Sequence, residues 1–190
     1  LVGDHILVSK LSYGLQWPKD CKFQPGFPPV TCYSSHTVIP FGSIQRGDII
    51  VFRFPEDEDK DFIKRVIGLP GDHIVYRDKV LYVNGEEMPQ TLIAQLPPLA
   101  PTYQILEENL ASVTHVVRKD LRRHIPDNFE TTVSPGHYFM MGDNRPLSYD
   151  SRMIGPIQRN QIIGRTLVRL YPFSQISLFP GKVDVLSKNP

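Results

Sequence analysis

The chain has 190 residues, room for one large domain or for a core that carries a smaller insert. Its 21 Lys and Arg against 20 Asp and Glu leave a formal net charge of +1, which gives no electrostatic case for nucleic acid as a partner. The 18 prolines and 13 glycines are spread along the chain, a pattern that argues against long helices and for short strands joined by turns.

The chain opens on Leu1 and Val2 and runs directly into strand-like sequence, so a segment upstream of Leu1 is expected to have been lost. In Gly3-Asp4-His5-Ile6-Leu7-Val8, Gly47-Asp48-Ile49-Ile50-Val51-Phe52 and Gly71-Asp72-His73-Ile74-Val75-Tyr76 a Gly-Asp turn is followed by a β-branched or aromatic run, so each predicts turn then strand. The longest apolar runs, such as Ile49 to Phe52 and Tyr138 to Met141, are strand-sized, well short of the roughly 20 residues of a membrane-spanning helix. The fragment as given is therefore expected to be soluble.

Cys21 and Cys32 stand close together in a stretch rich in proline and aromatic residues, read as a loop. Two thiols are too few for a zinc site and His36 does not complete one, so no metal is expected. A disulfide between Cys21 and Cys32, implying an oxidising compartment, is the expectation; two free thiols in a cytosolic loop are the alternative.

Further along, Val80-Leu81-Tyr82-Val83 meets Asn84-Gly85, a strong hairpin signal. Strands are predicted around Phe62 to Ile67, His115 to Arg118, His137 to Met141 and Gly164 to Tyr171, with a turn or two of helix possible at Gln104 to Asn109 and Gln158 to Ile162. The proline-rich run Gln95 to Pro101 interrupts any regular element. The expected fold is mainly β and antiparallel. Residues 1–85 and 136–173 form a discontinuous core, 86–135 an inserted β subdomain and 174–190 a peripheral tail.

Two segments carry chemistry. In a strand over Asp61 to Ile67, Phe62, Lys64 and Val66 share one face and Ile63, Arg65 and Ile67 the other. A lysine among apolar neighbours loses solvation, favours its neutral amine and can act as a general base; the alternative is a lysine that extends along the strand edge to solvent. The second segment, Gly142 to Arg152, follows the apolar Tyr138 to Met141 run. There Asp143, Asp150, Arg145 and Arg152 can pair to brace a loop, and Ser148 or Ser151 can orient a buried lysine; an ordinary polar turn with surface ion pairs is the alternative. No Gly-x-Ser-x-Gly, His-Glu-x-x-His, phosphate loop or dinucleotide fingerprint occurs, and the six histidines are scattered.

Taken together, these segments resemble the boxes of type I signal peptidases, serine peptidases with a Ser-Lys dyad. Leu1 to Gly14 is similar to the stretch after that family's Ser-Met-x-Pro-Thr-Leu motif, and Arg46 to Phe52 to its Arg-Gly-Asp box. Phe62 to Asp72 is similar to the lysine box, and Gly142 to Arg152 to the Gly-Asp-Asn-Arg…Ser-x-Asp-Ser-Arg box, with Pro146 and Leu147 where many members have Asp and Asn.

The resemblance implies Lys64 as general base and Ser148 as its hydrogen-bond partner. Asp150 with Arg152 and Asp143 with Arg65 would brace the site. Ile6, Val51, Asp61, Phe62 and Ile63 would line pockets for the small residues at −1 and −3 of a signal peptide, Asp61 mainly through backbone that pairs with an extended substrate. It implies no cofactor. The expected partners are signal peptides of exported preproteins and membrane lipid, with no nucleic acid and a monomeric chain. The expected place is the outer face of the cytoplasmic membrane, with upstream transmembrane segments as tether. The nucleophilic serine is expected upstream of Leu1, since no serine of this chain has the Ser-Met-x-Pro context, and the chain alone is expected to be inactive. Self-cleaving repressor or mutagenesis proteins share the Ser-Lys pair but cleave at Ala-Gly or Cys-Gly, and neither dipeptide occurs here. A catalytically dead paralogue that binds precursors is a second rival, opposed by the presence of Lys64 and Ser148.

Overall fold

A computed structural model of the chain describes residues 5–23, 30–39, 42–111, 113–122, 128–171 and 177–178. Fifteen strands precede a short final one: β1 (His5–Ser9), β2 (Leu15–Phe23), β3 (Val30–Ile39), β4 (Ile49–Phe54), β5 (Asp57–Gly68), β6 (His73–Arg77), β7 (Val80–Val83) and β8 (Glu86–Glu87), then β9 (Gln90–Leu96), β10 (Tyr103–Asn109), β11 (Thr114–Asp120), β12 (Asn128–Thr132), β13 (His137–Met141), β14 (Ile157–Gln158), β15 (Ile162–Tyr171) and β16 (Ser177–Leu178). The helical pieces are single turns: a 3-10 turn at Arg145–Leu147, α1 at Ser151–Ile154 and a second 3-10 turn at Arg159–Gln161. The mainly antiparallel β fold expected from the sequence is what the chain adopts.

The largest sheet has seven strands in the order β1-β15-β4-β5-β13-β14, with β16 beside β15. Strands β1, β4 and β6 stand where their sequences predict, with turns ahead of the last two, while Gly3 and Asp4 lie outside the described residues. Ahead of β4, Gly47 takes φ +92°, and a Cβ there would stand 2.7 Å from Val113 Cγ2. Glycine thus lets the backbone pass beneath Val113 and turn its carbonyl toward β5. Asn84 and Gly85, at φ 54° and 82°, make the left-handed turn expected between β7 and β8.

β5 and β13 run between two apolar cores. Val66 and Met140 join Tyr13, Ile44, Ile50, Phe52, Ile157 and Ile162, with Phe62 packed against them. Ile67, Phe139 and Met141 join Ile74, Tyr76, Leu81, Val83, Met88, Leu110 and Val133 on the other side. The period-2 alternation read from the sequence therefore sorts β5 between two cores, and each fully buried large apolar side chain contributes about 1.5–3 kcal/mol.

The chain departs from the sequence reading in two places, at 104–109 and around the two cysteines. Gln104 to Asn109, considered for a helical turn, is strand β10, paired on both sides with β9 and β11. Within residues 86–135, β9, β10 and β11 make a three-stranded sheet, while β8 and β12 share a four-stranded sheet with β6 and β7. The stretch around the two cysteines is the hairpin β2–β3 rather than a loop, with Cys21 and Cys32 as Cα partners. Cys21 is disulfide-bonded. In the tail from 174 onward only Ser177–Leu178 lies within the described residues, where it pairs with β15.

The β2–β3 hairpin forms its own two-stranded sheet, which is tied to the core next to its base: Tyr13 donates its hydroxyl to Asp48 at 2.8 Å, and Arg165 pairs with the same carboxylate at 3.1 Å. The double variant Cys21→Ser, Cys32→Ser is expected to lose up to about 3 kcal/mol of local stability through freed loop entropy. Hydrogen exchange should quicken across β2–β3 and stay unchanged across β4–β5.

Candidate active site

Lys64 lies near the point where β5 gains its second neighbour. From Asp57 to Arg65 β5 pairs with β4, while β13 joins its other edge only from Arg65 to Gly68. Among the described residues, the outer edge of β5 from residue 57 to residue 64 has no strand partner. Lys64 shares a face with Phe62 and Val66, and its ammonium position lies 5.4 Å from the centre of the Phe62 ring. That ring face favours a cation, but burial acts the other way and is larger: it pushes the Lys64 amine below its ordinary 10.5, with Asp150 and Asp143 opposing and Arg152 reinforcing the shift. Among the described residues Lys64 is in no ion pair.

The reason is that the nearby carboxylates are engaged elsewhere. Arg65, on the opposite face of β5 and 2% exposed, donates Nε to Asp143 Oδ1 at 2.9 Å and Nη2 to Oδ2 at 2.8 Å; its Nη1 reaches the Gly47 carbonyl at 2.9 Å. Asp150, fully buried, accepts from Arg152 Nε and Nη2 at 2.9 Å each and from the Gly142 amide at 3.0 Å. Burial opposes ionisation of both acids, yet the guanidinium partners hold each carboxyl below its usual range. Asp150 also caps α1, accepting from the Arg152 amide, and Ser151 accepts from the Met140 amide at 3.0 Å. Ser151 is thus committed to the backbone.

Ser148 is not. Its hydroxyl is buried beside Asp150, whose carboxyl it helps to hold low, but no bond of full hydrogen-bond geometry engages it among the described residues. A Cβ built at Gly142 would lie 2.2 Å from Ser148 Oγ and 3.7 Å from Lys64 Cδ, so the missing side chain of Gly142 is the space in which serine and lysine meet. Pro146 is buried in the 3-10 turn, which suits its fixed φ, while Leu147 is 62% exposed.

The residues expected to line a substrate pocket do not share one face. Phe62 lies with Lys64, whereas Val51 and Ile63 are direct partners across β4–β5 and so lie on the other face. Val51 is buried and Ile63 is 43% exposed. The Asp61 side chain turns to Arg53 at 3.7 Å. Ile6, half-buried on β1, is separated from β5 by β15 and β4.

Sequence reasoning missed a second buried polar group beside the loop. Arg145 pairs with Glu108 of β10, not with the aspartates of its own loop. His115 of β11, 1% exposed, places Nε2 3.4 Å from Glu108 and 3.7 Å from Asp143, and burial pushes it down to about 4, so it is neutral near pH 7. Among the described residues no group of His, Cys, Asp and Glu could hold a metal ion. No helix among them is long and apolar enough to cross a membrane.

The family model described as signal peptidase, peptidase S26, matches residues 1–171. The chain is similar to Signal peptidase I of Pseudomonas aeruginosa, 38% identical over 86% of this chain and 57% of that protein. It is also similar to Signal peptidase I of Pseudomonas fluorescens, 39% identical over 95% of this chain and 63% of that protein. The chain thus spans about three fifths of the length of these curated relatives. A crystal structure of a signal peptidase I from Enterococcus faecalis is 30% identical and covers 66% of this chain and 97% of its own, with a TM-score of 0.45.

A lysine whose proton is bound less tightly in the folded than in the unfolded chain costs stability below its folded midpoint. That cost is recovered as pH rises toward 10.5. Lys64→Met is therefore expected to fold and to be more stable than wild type at pH 7, with the difference shrinking as pH approaches 10. Urea titrations of both chains across that range provide the check.

Proposed function

The chain belongs to the signal peptidase, peptidase S26, family, and on that premise we propose that it carries the general base of a membrane-tethered serine endopeptidase that removes N-terminal signal peptides from exported proteins. The observation that carries this reading is the meeting, at Gly142, of a desolvated Lys64 amine that has no ion-pair partner among the described residues with the buried Ser148 hydroxyl.

In this mechanism the neutral Lys64 amine takes the proton of a serine hydroxyl as its oxygen attacks the scissile carbonyl. The resulting ammonium gives that proton to the departing amine, which leaves an acyl-serine. Lys64, neutral again, takes a proton from water; the hydroxide attacks the ester and the serine oxygen recovers the proton. Ser148 accepts a hydrogen bond from the amine and aims its lone pair. Asp150–Arg152 and Asp143–Arg65 hold their charges to each other and leave Lys64 without a counter-ion. The nucleophile belongs to a Ser-Met-x-Pro segment, a context that no serine of this chain has, so the 190-residue chain by itself is not expected to cleave.

The substrate binds as an added strand on the open edge of β5, beside residues 57–64, where it meets Phe62 on one face and Val51 and Ile63 on the other. Small residues at −1 and −3 fit such a shallow surface. The exposed Leu15, Trp17 and Ile39 of the β2–β3 hairpin support contact with membrane lipid on the outer face of the cytoplasmic membrane.

In the full-length protein, assayed on a precursor with alanine at −1 and −3, Lys64→Met is expected to cut kcat by at least about 100-fold. Lys64→Arg should fail equally, because a guanidinium keeps its proton. Ser148→Ala should lose about five- to tenfold, the worth of one orienting hydrogen bond. Near-wild-type turnover in Lys64→Met would overturn the assignment.

A further inference from the structure

Glu108 sits on β10, 37 residues before its partner Arg145, and is fully buried. A buried carboxylate must be paired and hydrogen-bonded, and both of its oxygens are. Oε1 accepts from Gln90 Nε2 at 2.6 Å and from Arg145 Nη1 at 3.3 Å, and Oε2 accepts from Arg145 Nη2. Gln90 is itself held by Lys119, whose ammonium donates to Gln90 Oε1. All three strands of the β9–β10–β11 sheet thus converge on one arginine of the neighbouring loop.

That arginine begins the turn leading to Ser148, and its carbonyl accepts from Arg152 Nη2 at 2.8 Å. The same sheet grips the loop a second time, where the Arg118 amide donates to the Asp143 carbonyl at 2.9 Å. The geometry points to Glu108 as a positioning residue: by holding Arg145 it fixes the Ser148 turn and the Asp150–Arg152 pair against Lys64, and the three-stranded sheet is the brace of the reactive amine. This rests on the reading of Lys64 as base.

A purely structural ion pair would behave differently. Breaking a buried pair from one side strands a charge, whereas replacing both partners by neutral groups restores stability. Glu108→Gln should therefore lower Tm, and Glu108→Gln with Arg145→Met should regain most of that loss. If Glu108 is a brace, the double variant still leaves the loop unpinned. Water then reaches Lys64 and relieves the burial that depresses it. The charged groups that face Lys64, namely Asp150, Asp143 and Arg152, all ride on the same loop.

Two readouts follow. In the 190-residue chain, NMR of the Lys64 side chain should show its titration midpoint moving upward by about half a unit or more in the double variant. In the full-length protein, kcat should fall about tenfold or more, with KM changed by less than about twofold. A double variant that regains Tm, the Lys64 midpoint and kcat together would reduce the pair to a stability role and overturn the proposal. Should the double variant not fold, Gln90→Ala decides: it removes one hydrogen bond to Glu108 and leaves the ion pair. An upward-shifted Lys64 midpoint supports the brace, and an unchanged midpoint overturns it. The NMR readout needs no cleavage, so an inactive wild-type full-length protein would sink the functional reading alone.

Discussion

An ammonium group taken out of water must find a carboxylate or give up its proton, and around Lys64 the carboxylates are already taken. Asp143 is held in a bidentate pair by Arg65 and Asp150 by Arg152. Two arginines and two acids cancel, and among the described residues the lysine is left over. A lysine beside two satisfied pairs has its charged form weakened by burial more than it is restored by the partly neutralised acids nearby. The weakened hold of this amine on its proton is thus a consequence of pairing among its neighbours.

The rest of the structure serves that arrangement. β5 is clamped between two apolar cores by Val66 and Ile67, which fixes the strand just after Lys64 while the edge before it stays open. The tight path at Gly47 aims a carbonyl at Arg65, and the bare Cα of Gly142 lets Ser148 come close. The β9–β10–β11 sheet reaches the same loop from the other side through Glu108 and the Arg118 amide. Buried ion pairs of this kind are weak contributors to net stability, but each strongly resists the loss of one partner. They suit a site in which position matters more than fold energy.

Much of this was legible in the sequence. The Gly47-Asp48 and Gly71-Asp72 turns, the Asn84-Gly85 hairpin and the alternation Phe62-Lys64-Val66 against Ile63-Arg65-Ile67 mark local preferences that the tertiary structure keeps. β10 was hidden because Glu108, two residues after Leu106, places a charge where a period of two calls for an apolar residue, and its partner Arg145 is distant in sequence. His115 gave no signal for the same reason: its neighbours Glu108 and Asp143 come from separate elements. Asn84-Gly85 joins β7 to β8 within one sheet and β12 returns to pair with β6, a pairing between residues so far apart in sequence that it leaves no local signal. Loop composition around Cys21 masked a hairpin whose strands carry Pro18 and the polar run Ser34-Ser35-His36.

The central claim is that the group titrating in catalysis is Lys64, which holds its proton less tightly because it is buried and has no ion-pair partner among the described residues. The direct test is to follow the Lys64 side chain by NMR in the full-length protein and to record its pH–rate profile under the same conditions. The account predicts one midpoint below 10.5 in both measurements, with activity rising as the amine loses its proton. A Lys64 that titrates like a free lysine, while activity rises through a separate and lower ionisation, would contradict it.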